Sequence, residues 1–89
     1  MDNMKDSDIT IELCGKLADI IACPVTIKIA QGGSTIAQVR RDIAGQYPDL
    51  APHMESPHIK ACLDERLVDD NAMIIPKQIL AFFPPVSGG

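Results

Sequence analysis

No stretch of this sequence approaches the ~20 consecutive apolar residues that a membrane-spanning helix needs. The chain opens with Asp2, Asn3 and Lys5 rather than the apolar core of a signal peptide. A soluble, cytoplasmic protein without a membrane partner is expected. Basic residues are few as well: eight Lys and Arg stand against twelve Asp and Glu, a formal charge of −4. The basic residues are scattered, Lys16, Lys28, Arg40 and Arg41 among them, which argues against nucleic acid as a partner, because phosphate binding draws on clustered cations that release counterions.

Cysteine is also sparse. Cys14, Cys23 and Cys62 form an odd set without short paired intervals, so neither a disulfide framework nor a zinc site is expected, and they read as small core or near-surface residues. His53 and His58 lie in a stretch punctuated by proline and are assigned no chemistry. No metal, bound cofactor, internal repeat or low-complexity segment is expected.

What is present is a folded composition, 46% hydrophobic with 22% charged residues, in a length of 89 that suits one domain with a single modest core. Met1 to Asp8 lacks periodicity and reads as a flexible tail. Ile9, Ile11 and Leu13 then alternate with polar residues as in a half-buried strand, which Gly15 ends. Leu17, Ile20 and Ile21 suit a short helical turn before Pro24. Val25, Ile27 and Ile29 predict a second strand closed by the turn Gln31-Gly32-Gly33.

The clearest helix follows. Thr35 is its expected N-cap, with Gln38 three residues on as a capping box, and Ile36, Val39, Ile43 and Tyr47 make one apolar stripe up to Pro48. Pro48 to Pro57 reads as a connector with a helical turn around Leu50 to Met54. Ile59, Ala61 and Leu63 predict a third strand, Asp64-Glu65 a hairpin turn, and Arg66 to Val68 a short return strand. Ala72 to Ile75 is apolar but cut by Pro76, and Ile79 to Phe83 has the content of a final strand.

Strands surrounding one amphipathic helix predict an α+β domain, a mixed sheet packed on that helix, over residues 9–83. Its last strand is placed beside its first, where the ends of small domains often meet.

Residues 84–89 break the pattern as Pro84-Pro85-Val86-Ser87-Gly88-Gly89. Two prolines fix φ near −65° and remove two N–H donors, so the chain leaves the sheet extended and stiff. Two glycines without side chains let the backbone thread a narrow channel and leave a terminal carboxylate sterically bare. Such a carboxylate can be adenylated in another enzyme's site, with AMP as leaving group, and attack by a sulfur donor then gives a thiocarboxylate. Its polarizable sulfur is a nucleophile toward a substrate carbon, while the partner supplies the geometry and the acid–base groups. A Gly-Gly pair alone reads more readily as a frayed end or a cloning remnant; the prolines and aromatics before it favour the chemical reading. If Leu80 and Phe82 face the core, Phe83 points the other way. Burial under a loop and exposure as a docking anchor both stay open for Phe83, as they do for Leu67.

The run Ala81-Phe82-Phe83-Pro84-Pro85-Val86-Ser87-Gly88-Gly89 resembles the C-terminus of the small subunit of molybdopterin synthase, the MoaD type of ubiquitin-like β-grasp sulfur carrier. Weaker similarity covers Gly15-Lys16-Leu17-Ala18-Asp19, the helix from Thr35 to Tyr47, and Leu67-Val68. The resemblance implies a β-grasp fold and ATP-dependent adenylation of Gly89 by a dedicated adenylyltransferase. A sulfur donor then converts Gly89 to a thiocarboxylate, and the tail docks in the large synthase subunit, where sulfur is transferred to form the dithiolene of molybdopterin. In this reading the chain is a non-catalytic subunit: Gly89 is the carrier, and Leu67, Phe83, Pro84, Pro85, Val86, Ser87 and Gly88 meet partners.

Three segments depart from the family pattern. Ala18 replaces a common Arg, Lys77-Gln78-Ile79 replaces a Gly-Asp-Glu run, and Asp64-Glu65 replaces an Asn-Gln type of turn. They bear on partner preference. The alternatives are a related carrier for thiamine or tRNA thiolation, or a protein modifier conjugated through Gly89.

Overall fold

The structure, a computed structural model, describes residues 6–21 and 24–84. The expectations for Cys23 and for Pro85 to Gly89 therefore fall outside the described residues.

Alternation sets the sheet. Strands β1 (Asp6–Leu13) and β2 (Val25–Ala30) pair antiparallel, with Ile9 opposite Ile27 and Ile11 opposite Val25. Because side chains alternate across a strand, these pairs put Ile9, Ile11, Val25, Ile27 and Ile29 on one buried face. Strand β1 begins at Asp6, three residues earlier than the periodicity indicates. Asp6, Ser7 and Asp8 pair with Ala30, Ile29 and Lys28, and the Lys28 ammonium meets the Asp8 carboxylate at 2.9 Å. Backbone pairing with an existing neighbour continues a strand where no apolar side chain marks it, so Asp6 to Asp8, predicted as part of a tail, belong to β1; the rest of that predicted tail, residues 1–5, lies outside the described residues.

A 3₁₀ turn, Gly15–Asp19, follows and buries Leu17. After β2 a two-residue strand β3 (Ser34–Thr35) leads into helix α1 (Ile36–Gln46). The Thr35 hydroxyl accepts the Gln38 N–H at 3.1 Å, as an N-cap does. The reciprocal half of the predicted box is not made: the Gln38 amide donates to Asp42 and accepts from Arg41. The remaining first-turn donors are met from the loop before β6, Ile36 N–H by Ala72 and Ala37 N–H by Asp70. Ile36, Val39 and Ile43 are fully buried. Tyr47 is half-buried, and its hydroxyl accepts the Thr26 N–H on the edge of β2.

A second 3₁₀ turn (Pro48–Leu50) and a one-turn helix α2 (Ala51–Met54) seat Leu50 and Met54 under α1. Strands β4 (Lys60–Leu63) and β5 (Arg66–Val68) form the expected hairpin, with Asp64 and Glu65 both at positive φ, 49° and 72°. That is the signature of a two-residue turn whose twist matches the strands. Strand β6 (Met73–Ile74) pairs with β3 in a small separate ladder that the sequence pattern does not reveal. Gly33 makes room for it: a Cβ there would lie 2.8 Å from the Ile74 carbonyl oxygen.

Strand β7 (Leu80–Phe83) closes the fold. It lies in the centre of a sheet ordered β2-β1-β7-β4-β5, parallel to β1 and antiparallel to β4. The mixed sheet packed on one main helix is the β-grasp arrangement.

The core between sheet and helix contains no buried polar or charged residue among those described. One cation reaches its margin. Arg40, on α1, donates to the Asp70 carboxylate at 2.8 Å and to the carbonyls of Met54 and Ile59, with its guanidinium 5.1 Å above the Phe82 ring. Read from sequence as one of several scattered basic residues, Arg40 instead pins two connectors to the helix.

Candidate functional site: the outer sheet face and the root of the tail

The helix covers one face of the sheet, and the other carries the predicted docking residues. Leu80 and Phe82 are fully buried, so by alternation Ala81 and Phe83 turn outward, both half-buried. Register aligns the neighbours. Ala81 lies opposite Glu12 on β1 and Cys62 on β4, and Cys62 lies opposite Leu67 on β5. Glu12, Ala81, Cys62 and Leu67 therefore form one lateral row, with Phe83 and Lys60 paired beside it. Leu67 is 67% exposed on the edge strand, and Ile79, just before β7, is 57% exposed.

Phe83 and Leu67 thus share one surface. Phe83 is neither fully buried under a loop nor fully exposed, and its position at the end of the central strand places it directly before the tail.

The tail root has its own fitting. Cys14 N–H donates to the Phe82 carbonyl at 3.0 Å, which carries the β1–β7 pairing past the end of β1. Gly15 follows at φ +59°, and a Cβ there would sit 3.3 Å from the Pro84 ring. The glycine supplies a left-handed backbone and the space in which the first proline lies. The segment Gly15 to Asp19 and the proline stem, which carry separate parts of the family resemblance, therefore meet in space. Pro85, Val86, Ser87, Gly88 and Gly89 lie outside the described residues.

Two of the three departures from the family pattern also meet. Asp64 accepts the Ile79 N–H at 2.9 Å and the Gln78 amide at 3.0 Å, and its own N–H donates to the Ile79 carbonyl at 2.8 Å. The Ile79 backbone donor, followed by the Gln78 amide, holds the Asp64 carboxyl below its ordinary range. Gln78 in turn accepts the Ile75 N–H. Pro76 and Lys77 occupy the centre of that turn, with Lys77 at φ +82°, in the arrangement of a type II turn. Lys77 therefore stands where glycine is conformationally favoured. Asp64 and Gln78-Ile79 form a single latch between the β4–β5 hairpin and the start of β7. Ala18, the third departure, is exposed on the 3₁₀ turn.

The profile of the ThiS family matches residues 11–89. The chain belongs to the ThiS family. It is accordingly a ubiquitin-like β-grasp sulfur carrier. Solved structures share the fold. Small archaeal modifier protein 1 of Haloferax volcanii superposes with a TM-score of 0.76 at 21% identity, over 90% of this chain and 99% of that one. The putative molybdopterin converting factor subunit 1 of Pyrococcus furiosus gives 0.72 at 11% identity, over 89% of this chain and 98% of that one. The complex of subunits 1 and 2 of the molybdopterin-converting factor of Helicobacter pylori gives 0.64 at 19%, over 93% and 100%. No curated protein matches the chain.

Within this ThiS-family site, sequence reasoning missed Glu12, Cys62 and Ile79. Glu12 and Cys62 were legible in principle, since strand alternation puts them on the face opposite Ile11 and Ala61. Ile79 was legible in the same way, since it adjoins buried Leu80 in the predicted last strand and alternation turns it outward; what could not be read was its tie to Asp64. The described residues contain no group of three or more His, Cys, Asp or Glu able to hold a metal ion, and no helix among them is long and apolar enough to cross a membrane.

Proposed function

We propose that this chain is the sulfur-carrier small subunit of a molybdopterin synthase. In this role a carboxylate at Gly89 attacks the α-phosphorus of ATP in an adenylyltransferase, releasing pyrophosphate and giving the acyl-adenylate. A sulfur donor displaces AMP, and the thiocarboxylate is delivered into the large subunit to build the dithiolene of molybdopterin. The chain contributes reach, orientation and a docking face. The acid–base groups belong to the partners.

The observation that carries the reading is the pairing of an outward Leu67 and Phe83 on one face with a central strand that leads straight into the proline stem at Pro84. A partner gripping that face holds the tail root at a fixed distance, which converts sulfur transfer into a positioned event. The two-subunit complex of the Helicobacter pylori relative supports a large-subunit partner. The Phe82-Phe83-Pro84-Pro85 run before the glycines supports the molybdopterin branch over a thiamine carrier.

The test is reconstitution. Wild-type chain, ATP, a cognate adenylyltransferase and a sulfur donor are expected to give an intact mass shifted by one oxygen exchanged for sulfur, and the product with a large subunit is expected to form molybdopterin. A ladder of isopeptide adducts in extract, without molybdopterin, would assign the chain instead to the modifier class of the Haloferax volcanii relative.

A further inference from the structure

The outer face is not uniformly apolar. Beside Leu67 lies an open groove of about 370 Å³ whose floor is Cys62, Ala81 and Ile79 and whose rim is Glu12, Asp64 and Glu65, with no basic residue lining it. Asp64 is occupied by the latch to Gln78 and Ile79. Glu12 and Glu65 are exposed, and among the described residues neither carboxylate has a hydrogen-bond or ion-pair partner. Glu12 extends the lateral row from one side and Glu65 tops the hairpin on the other, so two uncommitted negative charges flank one apolar trough. The basic groups that register places on this face stand away from the trough: Lys60 is paired with Phe83 beside the tail root, and Lys28 is paired with Asp8 near the start of β1.

We propose that this groove receives a basic side chain, Lys or Arg, from the docking partner, seated between Glu12 and Glu65 while an adjoining apolar residue of the partner covers Leu67 and Ile79. The inference rests on the docking reading above and adds to it the chemistry of the surface that docks. Charge complementarity selects the occupant. An apolar segment alone would cover the floor but leave two carboxylates at the margin of a drying interface, whereas a cation with an aliphatic stem satisfies both rim and floor. The acidic rim at the hairpin end and Lys60 at the tail end also fix the partner's orientation, because a docked surface rotated end for end would set like charges against each other. Asp64, which departs from the family turn, takes part by tying the Ile79 backbone to the hairpin beside the floor.

The test measures binding of the large synthase subunit to full-length chain across a salt series, for wild type, for the double variant Glu12→Gln with Glu65→Gln, and for Leu67→Ser. Both glutamates are exposed and uncommitted, so the double variant is expected to keep its melting temperature. The expected result is wild-type affinity that falls with salt, and a double variant bound about tenfold more weakly at low salt with a flattened salt dependence. Equal affinity and an equal salt slope for wild type and the double variant, with Leu67→Ser still impaired, would overturn the acidic-rim proposal and leave the docking reading standing. Absence of binding by the wild type would overturn both.

Discussion

The two faces of the same sheet are built by different rules. On the helix side, Ile9, Ile11, Ile27, Leu80 and Phe82 are sealed against α1 without a buried polar group among the described residues. On the outer side, Leu67, Ala81, Cys62 and Phe83 occupy the equivalent alternate positions and stay partly or largely exposed. Consecutive residues of one strand, Phe82 and Phe83, thus serve opposite purposes. The first is sealed in the core, and the second turns to the outer face beside the root of the tail.

That contrast breaks most sharply at the two aromatic and leucine positions. Phe82→Ala is expected to cost about 3–5 kcal/mol of stability, the loss of a large buried ring plus its cavity, read by denaturant unfolding. Leu67→Ser on the outer face is expected to move stability by no more than about 0.5 kcal/mol while weakening partner binding. Equal unfolding midpoints for the two variants would erase the distinction between the faces.

Arg40→Ala probes the margin of the closed face. It strands the Met54 and Ile59 carbonyls and uncovers the Phe82 ring, so a loss of about 2–3 kcal/mol is expected in chemical denaturation. Arg40→Lys is expected to recover only part of it, since one ammonium cannot reproduce the guanidinium fork.

At the tail root, Gly15→Ala is expected to cost about 1–2 kcal/mol from the left-handed backbone alone. The added Cβ also crowds the Pro84 ring, so thiocarboxylate formation is expected to fall further than stability accounts for, seen by comparing thiolation yield with melting temperature.

The smallest expected effect concerns pH. The Asp64 carboxyl is depressed in the folded state, so its contribution is present above its ordinary value of 3.8 and is lost as pH falls through the lower folded value. Asp64→Asn is expected to flatten that acid limb of the stability curve, measured by thermal melts from neutral pH downward.

Most of the fold was legible because its signals were local and periodic: alternation in β1, β2 and β7, the stripe of α1, the turn at Asp64-Glu65. The two-residue ladder of β3 and β6 was not, since a pair of residues has no period and the pairing joins Ser34 to Ile74 across the helix. Strand β1 reached back to Asp6 because pairing with β2, rather than an apolar pattern, defines its start. Of the site, Leu67, Phe83 and Pro84 could be named from sequence. The latch of Asp64 with Gln78 and Ile79 could not, because it joins two segments that sequence treats as separate departures. The same holds for Gly15 and Pro84, whose contact depends on the parallel placement of β7 beside β1.

The central claim is that the outer face and proline stem serve a reactive group at Gly89. Intact-mass measurement after incubation with ATP, adenylyltransferase and a sulfur donor tests it most directly. The account predicts exchange of one oxygen for sulfur in the wild-type chain and its loss on deletion of Gly89. An unshifted mass, or a shift that survives the deletion, would contradict it.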